Sequence, residues 1–332
     1  MTQPTTIDVV AVGNAIVDII GRCDDSFLQA HQCVKGSMNL VDPRRLTALY
    51  DAMGPAVEIS GGSAANTAVG VASYGGRAAF IGKVADDEFG RIFSHDIKAS
   101  GVAFHTSAVN GGNPTSRSLI LVTPDGERTM NTYLGISTEL DSGVIDTDTI
   151  ASAKVLYLEG YLFDRPEAKA AFREAAAIAR KSDRKVALSL SDAFCVDRHR
   201  SEFLDLVKSD IDILFANESE ITSLYQTSDF EEASRRAAAD AQLAILTRSA
   251  KGSIVISGDS RTIVTAEPVA AVLDTTGAGD LYAAGFLYGY TRGFDHATCG
   301  RLASLAAAEI ISHVGARPET KLSILASQKG VL

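Results

Sequence analysis

Apolar positions recur along the chain with two different periods, and the alternation between them predicts the architecture. Residues 7–13 (IDVVAVG) form a continuous apolar run closed by glycine, the pattern of a buried strand. From residue 153 onward the two periods alternate. AKVLYLEG (153–160) predicts a strand, and PEAKAAFREAAAIARKS (166–182) a helix with Pro166 in its first turn. KVALSLS (185–191) predicts a strand, SEFLDLVKS (201–209) a helix and IDILFAN (211–217) a strand. An alanine-rich helix over 231–242 and the strand LAILT (243–247) follow. This rhythm argues for a mainly parallel sheet with helices on both faces. GSIVIS (252–257) and RTIVTA (261–266) predict a short antiparallel pair at a sheet edge, and helices near 280–292 and 297–313 close the fold.

Two stretches break the rhythm. Residues 15–40 and 113–136 are rich in β-formers, and Pro124-Asp125-Gly126 supplies a turn between SRSLILVT and ERTMNTY. Strands inserted so far apart can pair into a small separate sheet, a lid over the main domain. The expected division is therefore a large α/β domain made of 1–14, 41–112 and 137–332, with 15–40 and 113–136 as the lid.

Composition narrows the chemistry. The 332 residues carry 41 acidic and 31 basic side chains, a formal charge of −10, without long basic runs. Nucleic acid and anionic membrane surfaces are poor partners for such a chain, so any phosphate must be gripped locally. Cys23, Cys33, Cys195 and Cys299 are scattered and form no C-x-x-C pair, which fits reduced thiols and a cytoplasmic location. His31 lies near Cys33, but no second cluster completes a metal site. No leader pattern precedes the first strand, and the apolar stretch after it is broken by Asn14 and Asp18.

Three constellations carry candidate chemistry. In DTTGAGDLYAAGFLYGY (274–290), Gly277, Ala278 and Gly279 crowd against Asp280 at the start of an apolar helix. Glycines let successive amides point one way, and a helix N-terminus adds partial positive charge, so the segment suits an anion. A carboxylate beside that anion suits a base for a hydroxyl nucleophile, although a plain helix cap is the alternative reading of Asp280. In GGSAANTAVGVASYGG (61–76), Gly61 and Gly62 precede a helix whose first turn offers Ser63 and Asn66, either a polar ligand site or a simple turn. Asn217 and Glu220 open a helix directly after a strand, where ligands of open α/β sheets bind. They suit a water-bound Mg²⁺ or, equally, a capping box. The GxxxxGK[ST] phosphate loop is absent, and GNAIVDIIG (13–21) lacks the dinucleotide-binding glycines.

Taken in order and spacing, these motifs resemble the ribokinase-like (PfkB) carbohydrate and nucleoside kinases over essentially the whole chain. GGSAANTA (61–68) is similar to the first family signature, DTTGAGDLYAAGFL (274–287) to the second, and Asn217 with Glu220 to the N-x-x-E motif. Within the family, GNAIVDI (13–19), SLSDAF (189–194) and DILFANESE (212–220) look like the adenosine kinase branch. The resemblance implies a three-layer α/β/α fold with a mainly parallel sheet and a small β lid. It implies ATP and Mg²⁺, with K⁺ as a further candidate, and a small-molecule acceptor bound by a monomer or homodimer. Carried over residue by residue, Asp18 would hold ribose hydroxyls with Gly61, Gly62 and Asn66, while Asn14 and Ser63 would lie near the base and Phe194 would pack on it. Arg128 would approach the transferred phosphate. Thr247, Gly252 and Ser304 would line the ATP side with Asn217, Glu220, Gly277 and Gly279. Asp274 and Thr276 would hold the monovalent cation. TRSAKG (247–252) departs from the family pattern at Ser249, and the lid segments match less well than the core motifs.

The activity implied is transfer of the ATP γ-phosphoryl group to the 5′-hydroxyl of adenosine, with Asp280 as base and the 277–279 amides as anion hole. A kinase of ribose, another sugar or another nucleoside is the alternative within the family, and a non-catalytic sugar- or nucleoside-binding regulator is the alternative outside it. A nucleoside would need an apolar slot, for which Met38, Leu40, Tyr161 and Phe194 are candidates.

Overall fold

In the computed structural model, which describes residues 5–332, fourteen strands divide into two sheets. In chain order they are β1 (Ile7–Val12), β2 (Ile16–Arg22), β3 (Met38–Leu40), β4 (Ala56–Gly61), β5 (Ala78–Ile81), β6 (Val102–Phe104) and β7 (Ser116–Val122). The remainder are β8 (Arg128–Tyr133), β9 (Ala153–Glu159), β10 (Lys185–Ser189), β11 (Ile213–Asn217), β12 (Leu243–Thr247), β13 (Ser253–Ser257) and β14 (Ser260–Val264).

Nine strands form the large sheet in the order β14-β13-β12-β11-β10-β9-β1-β5-β6. From β12 to β6 every pairing is parallel, and β13 and β14 add the antiparallel edge read from their sequence. The central strands are apolar at consecutive positions because both faces are covered. Val9 and Ala11 face one core, and their neighbours Val10 and Val12 face the other. The first core lies under the helices Ser63–Ser73, Ala278–Thr291 and His296–Ile310, the second under Pro166–Lys181, Ala193–Ser209, Glu218–Tyr225 and Phe230–Asp240. The result is the three-layer α/β/α arrangement.

Five strands form the second sheet in the order β3-β8-β7-β2-β4. The hairpin of β7 and β8 pairs from Arg117–Tyr133 to Val122–Arg128 around the turn that the Pro-Asp-Gly signal predicts. One expectation needs correction. The segment 41–112 was assigned wholly to the large domain, but β4 pairs antiparallel with β2 from Ile16–Gly61 to Gly21–Ala56. The five residues between Gly54-Pro55 and the Gly61-Gly62 pair are too few to display a clear period, which hides this strand in the sequence. On one face of the small sheet Ile19 and Leu119 join Leu46 and Leu49 of the helix Pro43–Ala52 in the core. Residues of opposite parity, including Asp18, Ser118 and Thr132, line the other face in register. No helix among the described residues is long and apolar enough to cross a membrane.

Candidate active site

Parallel pairing brings the carboxyl ends of β1, β9, β10, β11 and β12 to one edge of the large sheet, where ligands of open α/β sheets collect. The helices Ser63–Ser73 and Ala278–Thr291 meet there. Small residues let them approach closely: a methyl group on Gly70 would fall 2.5 Å from Ala284 Cβ. Each helix begins at a glycine with positive φ, Gly62 at 98° and Gly277 at 77°, a region that favours glycine.

This packing places Asp280 against the first turn of the other helix. Ser63 Oγ donates to Asp280 Oδ1 at 2.6 Å, and Asn66 Nδ2 donates to Oδ2 at 2.9 Å. Thr67 Oγ1 also donates to the Asp280 carbonyl at 3.2 Å. Burial raises the Asp280 pKa, opposed by the two side-chain hydrogen bonds and by the positive charge of Arg317. Asn66 Oδ1 is buried and accepts no hydrogen bond among the described residues.

The glycine turn is only partly as expected. The Ala278 amide donates to Thr275 O at 3.2 Å, closing a turn, so it is not free for an anion. The amides of Gly277 and Gly279 have no backbone or side-chain acceptor among the described residues. A methyl group on Gly279 would meet nothing within 4 Å, so open space lies over that residue.

Asp18 comes from the small sheet. Its carboxylate lies against Gly61, where a methyl group would fall 2.2 Å from Oδ2, so only glycine fits. Burial pushes its pKa up to about 6, with Arg317 and Arg128 pulling down and Asp280 pushing further up. Arg128 reaches from β8 to the large domain. Its Nη1 stands 2.7 Å from Asp274 Oδ2 and donates to Thr276 Oγ1 at 3.2 Å. Nε and Nη2 of Arg128 are buried without an acceptor among the described residues. Asp274 also accepts from the amides of Thr276 and Gly315, both at 3.0 Å. A monovalent cation on this carboxylate would have to displace Arg128, so the side chains do not fit that role as they stand.

Other predicted residues serve the frame around this cleft. Asn14 Nδ2 donates to Glu159 Oε1 at 2.7 Å, and its Oδ1 accepts from Ser137 Oγ at 2.8 Å, so both ends of the side chain are engaged. Asn217 and Glu220 close the capping box: Asn217 Nδ2 donates to Glu220 Oε1 at 2.6 Å, Asn217 N to Oε2 at 2.9 Å, and Glu220 N to Asn217 Oδ1 at 2.9 Å. Burial pushes Glu220 up to about 7, helped by the negative charges of Asp192 and Asp280. Thr247 pairs with Asn217 at the ends of β12 and β11. Gly252, at φ 82°, is pinned by Val264, whose carbonyl a methyl group would meet at 2.0 Å. Ser304 Oγ accepts from Glu267 N at 2.7 Å and tethers the loop after β14. Phe194 is 75% exposed, and Tyr161 is also exposed. Tyr161 and Phe194 stand on the large domain after β9 and β10, whereas Met38 and Leu40 lie on β3 of the small sheet.

Two residues at this site escaped the sequence reading. Glu159, at the end of β9, accepts from Ala64 N at 2.8 Å as well as from Asn14, and burial pushes it up to about 7. An acidic residue ending the apolar run VLYLEG was its only signal. Arg317, in the irregular stretch after the helix His296–Ile310, touches both Ser60 and Ala65. Nothing periodic marks it. Among the described residues no cluster of three or more His, Cys, Asp and Glu side chains is suited to bind a metal directly, and none of the four cysteines forms a disulfide.

Comparison with known proteins agrees with this geometry. The pattern of the pfkB family carbohydrate kinases matches residues 7–322. The crystal structure of a Rhizobium etli protein named as a probable sugar kinase is similar at 53% identity and a TM-score of 0.92, over 99% of this chain and 100% of that one. An adenosine kinase from Sinorhizobium meliloti is similar at 54% identity and a TM-score of 0.91, over 98% of this chain and 100% of that one. An uncharacterised sugar kinase of Archaeoglobus fulgidus is 27% identical over 75% of this chain and 97% of its own length.

Proposed function

From the premise that this chain belongs to the pfkB family of carbohydrate kinases, we propose that it transfers the γ-phosphoryl group of ATP to the 5′-hydroxyl of adenosine, giving AMP and ADP. One observation favours a nucleoside over a bare sugar. On the face of the small sheet that carries Asp18, the next cross-strand row is Met38, Met130, Ile120, Ile20 and Val57 in register. Met38 and Val57, on the two edge strands, are 49% and 66% exposed while Ile120 at the centre is buried, so apolar surface lies open toward the edges of that row. A purine would cover it, and a free sugar would leave it wet.

The residues then divide the work. Asp18 has no hydrogen-bond donor among the described residues and would accept two ribose hydroxyls, which satisfy its buried charge. Asp280, held on both oxygens by Ser63 and Asn66, would take the hydrogen bond of the 5′-hydroxyl, align it and accept its proton as the bond to phosphorus forms. The Asn66 carbonyl oxygen offers a further acceptor beside it. The Gly277 and Gly279 amides would receive the charge on the phosphate oxygens. The unpaired Nε and Nη2 of Arg128 would meet the transferred group from the lid side while Nη1 stays on Asp274. Such transfer is mainly positioning and charge stabilisation, which suits these roles.

Glu220 and Asn217 fit Mg²⁺ through water rather than directly. Both oxygens of Glu220 already accept from Asn217, yet the carboxylate lies in the negative field of Asp192 and Asp280 and has no cationic partner among the described residues. Held there through water by Asn217 and Glu220, Mg²⁺ would supply neutralisation of phosphate charge.

The 53% identical R. etli relative keeps a sugar acceptor as the second reading. An acceptor panel with ATP and Mg²⁺ separates the two. Adenosine should give the highest kcat/KM, with ribose and other sugars at least about 100-fold lower. A sugar that outperforms adenosine overturns the assignment.

A further inference from the structure

Arg317 is a half-buried cation without a carboxylate in direct contact among the described residues. Its Nε donates to Ser60 O at 2.8 Å, Nη2 to Ser60 Oγ at 2.9 Å and Nη1 to Ala65 O at 2.9 Å. Every partner is neutral. Burial of a guanidinium on neutral partners is costly, and burial indeed lowers its pKa to about 10. The charges that offset the cost stand one step away: Asp96, Asp18 and Asp280 all act on it.

The contacts are placed where the acceptor site is assembled. Ser60 precedes Gly61, the residue against Asp18, and pairs with Val17 across β2. Its amide donates to Asp96 Oδ2 at 2.8 Å, so Ser60 is gripped on both sides. Ala65 lies between Ser63 and Asn66, the two residues that hold Asp280. One guanidinium thus ties the strand beside the first carboxylate to the helix turn beside the second.

We propose that Arg317 is a positioning residue for phosphoryl transfer, fixing the Ser60–Asn66 segment under the acceptor and supplying the positive charge that Asp18 and Asp280 share. The proposal rests on the reading of those two aspartates given above. Asp280 must be ionised to take the hydroxyl proton, Asp18 must be ionised to accept from two hydroxyls with both oxygens free, and few other groups help. Asp18 faces Arg317, Arg128 and Asp280. Asp280 faces Arg317, Ser63 and Asn66, and it acts on Tyr157 and Glu159 of β9, on Tyr161, and on Glu220 of the helix Glu218–Tyr225. Arg317 is the cation common to both aspartates.

The test is the pH profile of kcat/KM for the acceptor in Arg317→Gln and Arg317→Lys, beside the unaltered enzyme. Arg317→Gln should move the acid limb upward by about one pH unit, since an opposite charge at this range shifts a carboxylate by about that much. Arg317→Lys keeps the charge and loses the fork, so the limb should stay while acceptor KM rises severalfold. A limb that stays in Arg317→Gln, with activity lowered uniformly or not at all, overturns the proposal. Should that variant not fold, Arg317→Lys decides: a shifted limb or an unchanged KM overturns it. An acid limb of the unaltered enzyme that survives in Asp280→Asn and in Asp18→Asn counts against the reading of the aspartates rather than against Arg317.

Discussion

Arg128 of the small sheet and Asp274 of the large domain form a buried ion pair with Nη1 and Oδ2 2.7 Å apart, the side chains 7% and 4% exposed. The pair fastens the far end of the β7–β8 hairpin to the segment that leads into the Gly277 turn. The small sheet and the proposed phosphate site are therefore linked through Arg128.

Breaking that contact from one side leaves a buried charge alone. Arg128→Ala should lower the unfolding free energy by about 3 kcal/mol. The double variant Arg128→Ala, Asp274→Ala should recover part of the loss, because neither charge remains. Denaturant unfolding of both single variants and the double variant measures the coupling. Additive losses would mean that the pair contributes nothing as a pair.

The two glycines of the anion turn should respond differently to a methyl group. Gly277 sits at φ 77°, and its methyl would lie 3.0 Å from Ala316 Cβ, so Gly277→Ala should cost about 1–2 kcal/mol of stability. Gly279→Ala meets nothing in the free protein and should melt normally. Its methyl would occupy the space given to the phosphates, so KM for ATP should rise by about tenfold or more. Normal ATP kinetics in Gly279→Ala would move the phosphates elsewhere.

Stability should depend on pH in an unusual sense. Folding raises Asp18 from 3.8 to about 6, and raises Glu159 and Glu220 from 4.5 to about 7. Each group binds its proton more readily in the folded chain than in the unfolded one. Their contribution is full below the unfolded values and is lost as the pH rises through the folded values. Asp8 runs the other way: despite its burial, the Arg77 amide, Lys154 and the Arg77 side chain hold it near 2, so its share is lost only in strong acid. The Tm of the ligand-free protein should therefore rise as the pH is lowered from about 7.5 to about 5.5. A Tm that falls across that window contradicts the raised carboxyls.

Much of this was legible in sequence because its signals are local. The strand and helix periods from Ala153 to Thr247, the Pro-Asp-Gly turn and both glycine-led helix starts depend on neighbours in the chain. Ser63, Asn66 and Asp280 could be named singly, but their mutual hydrogen bonds span more than 200 positions and follow only from the Gly70–Ala284 packing. Arg317 has no local signal, since its partners lie about 250 positions away. Phe194 was assigned to a base through the resemblance of SLSDAF, and its place at the start of a helix leaves it exposed. For Asn217 and Glu220, the capping geometry and a water-mediated metal role ask for the same two side chains.

The most direct test concerns Asp280, the carboxylate on which the Ser63 and Asn66 contacts converge. Single-turnover phosphorylation of adenosine by Asp280→Asn, with ATP affinity measured in parallel, isolates its part in the chemical step. The rate should fall by about 1,000-fold while ATP binding changes by less than about threefold. A rate within about tenfold of the unaltered enzyme would remove Asp280 from the proton transfer and contradict the account.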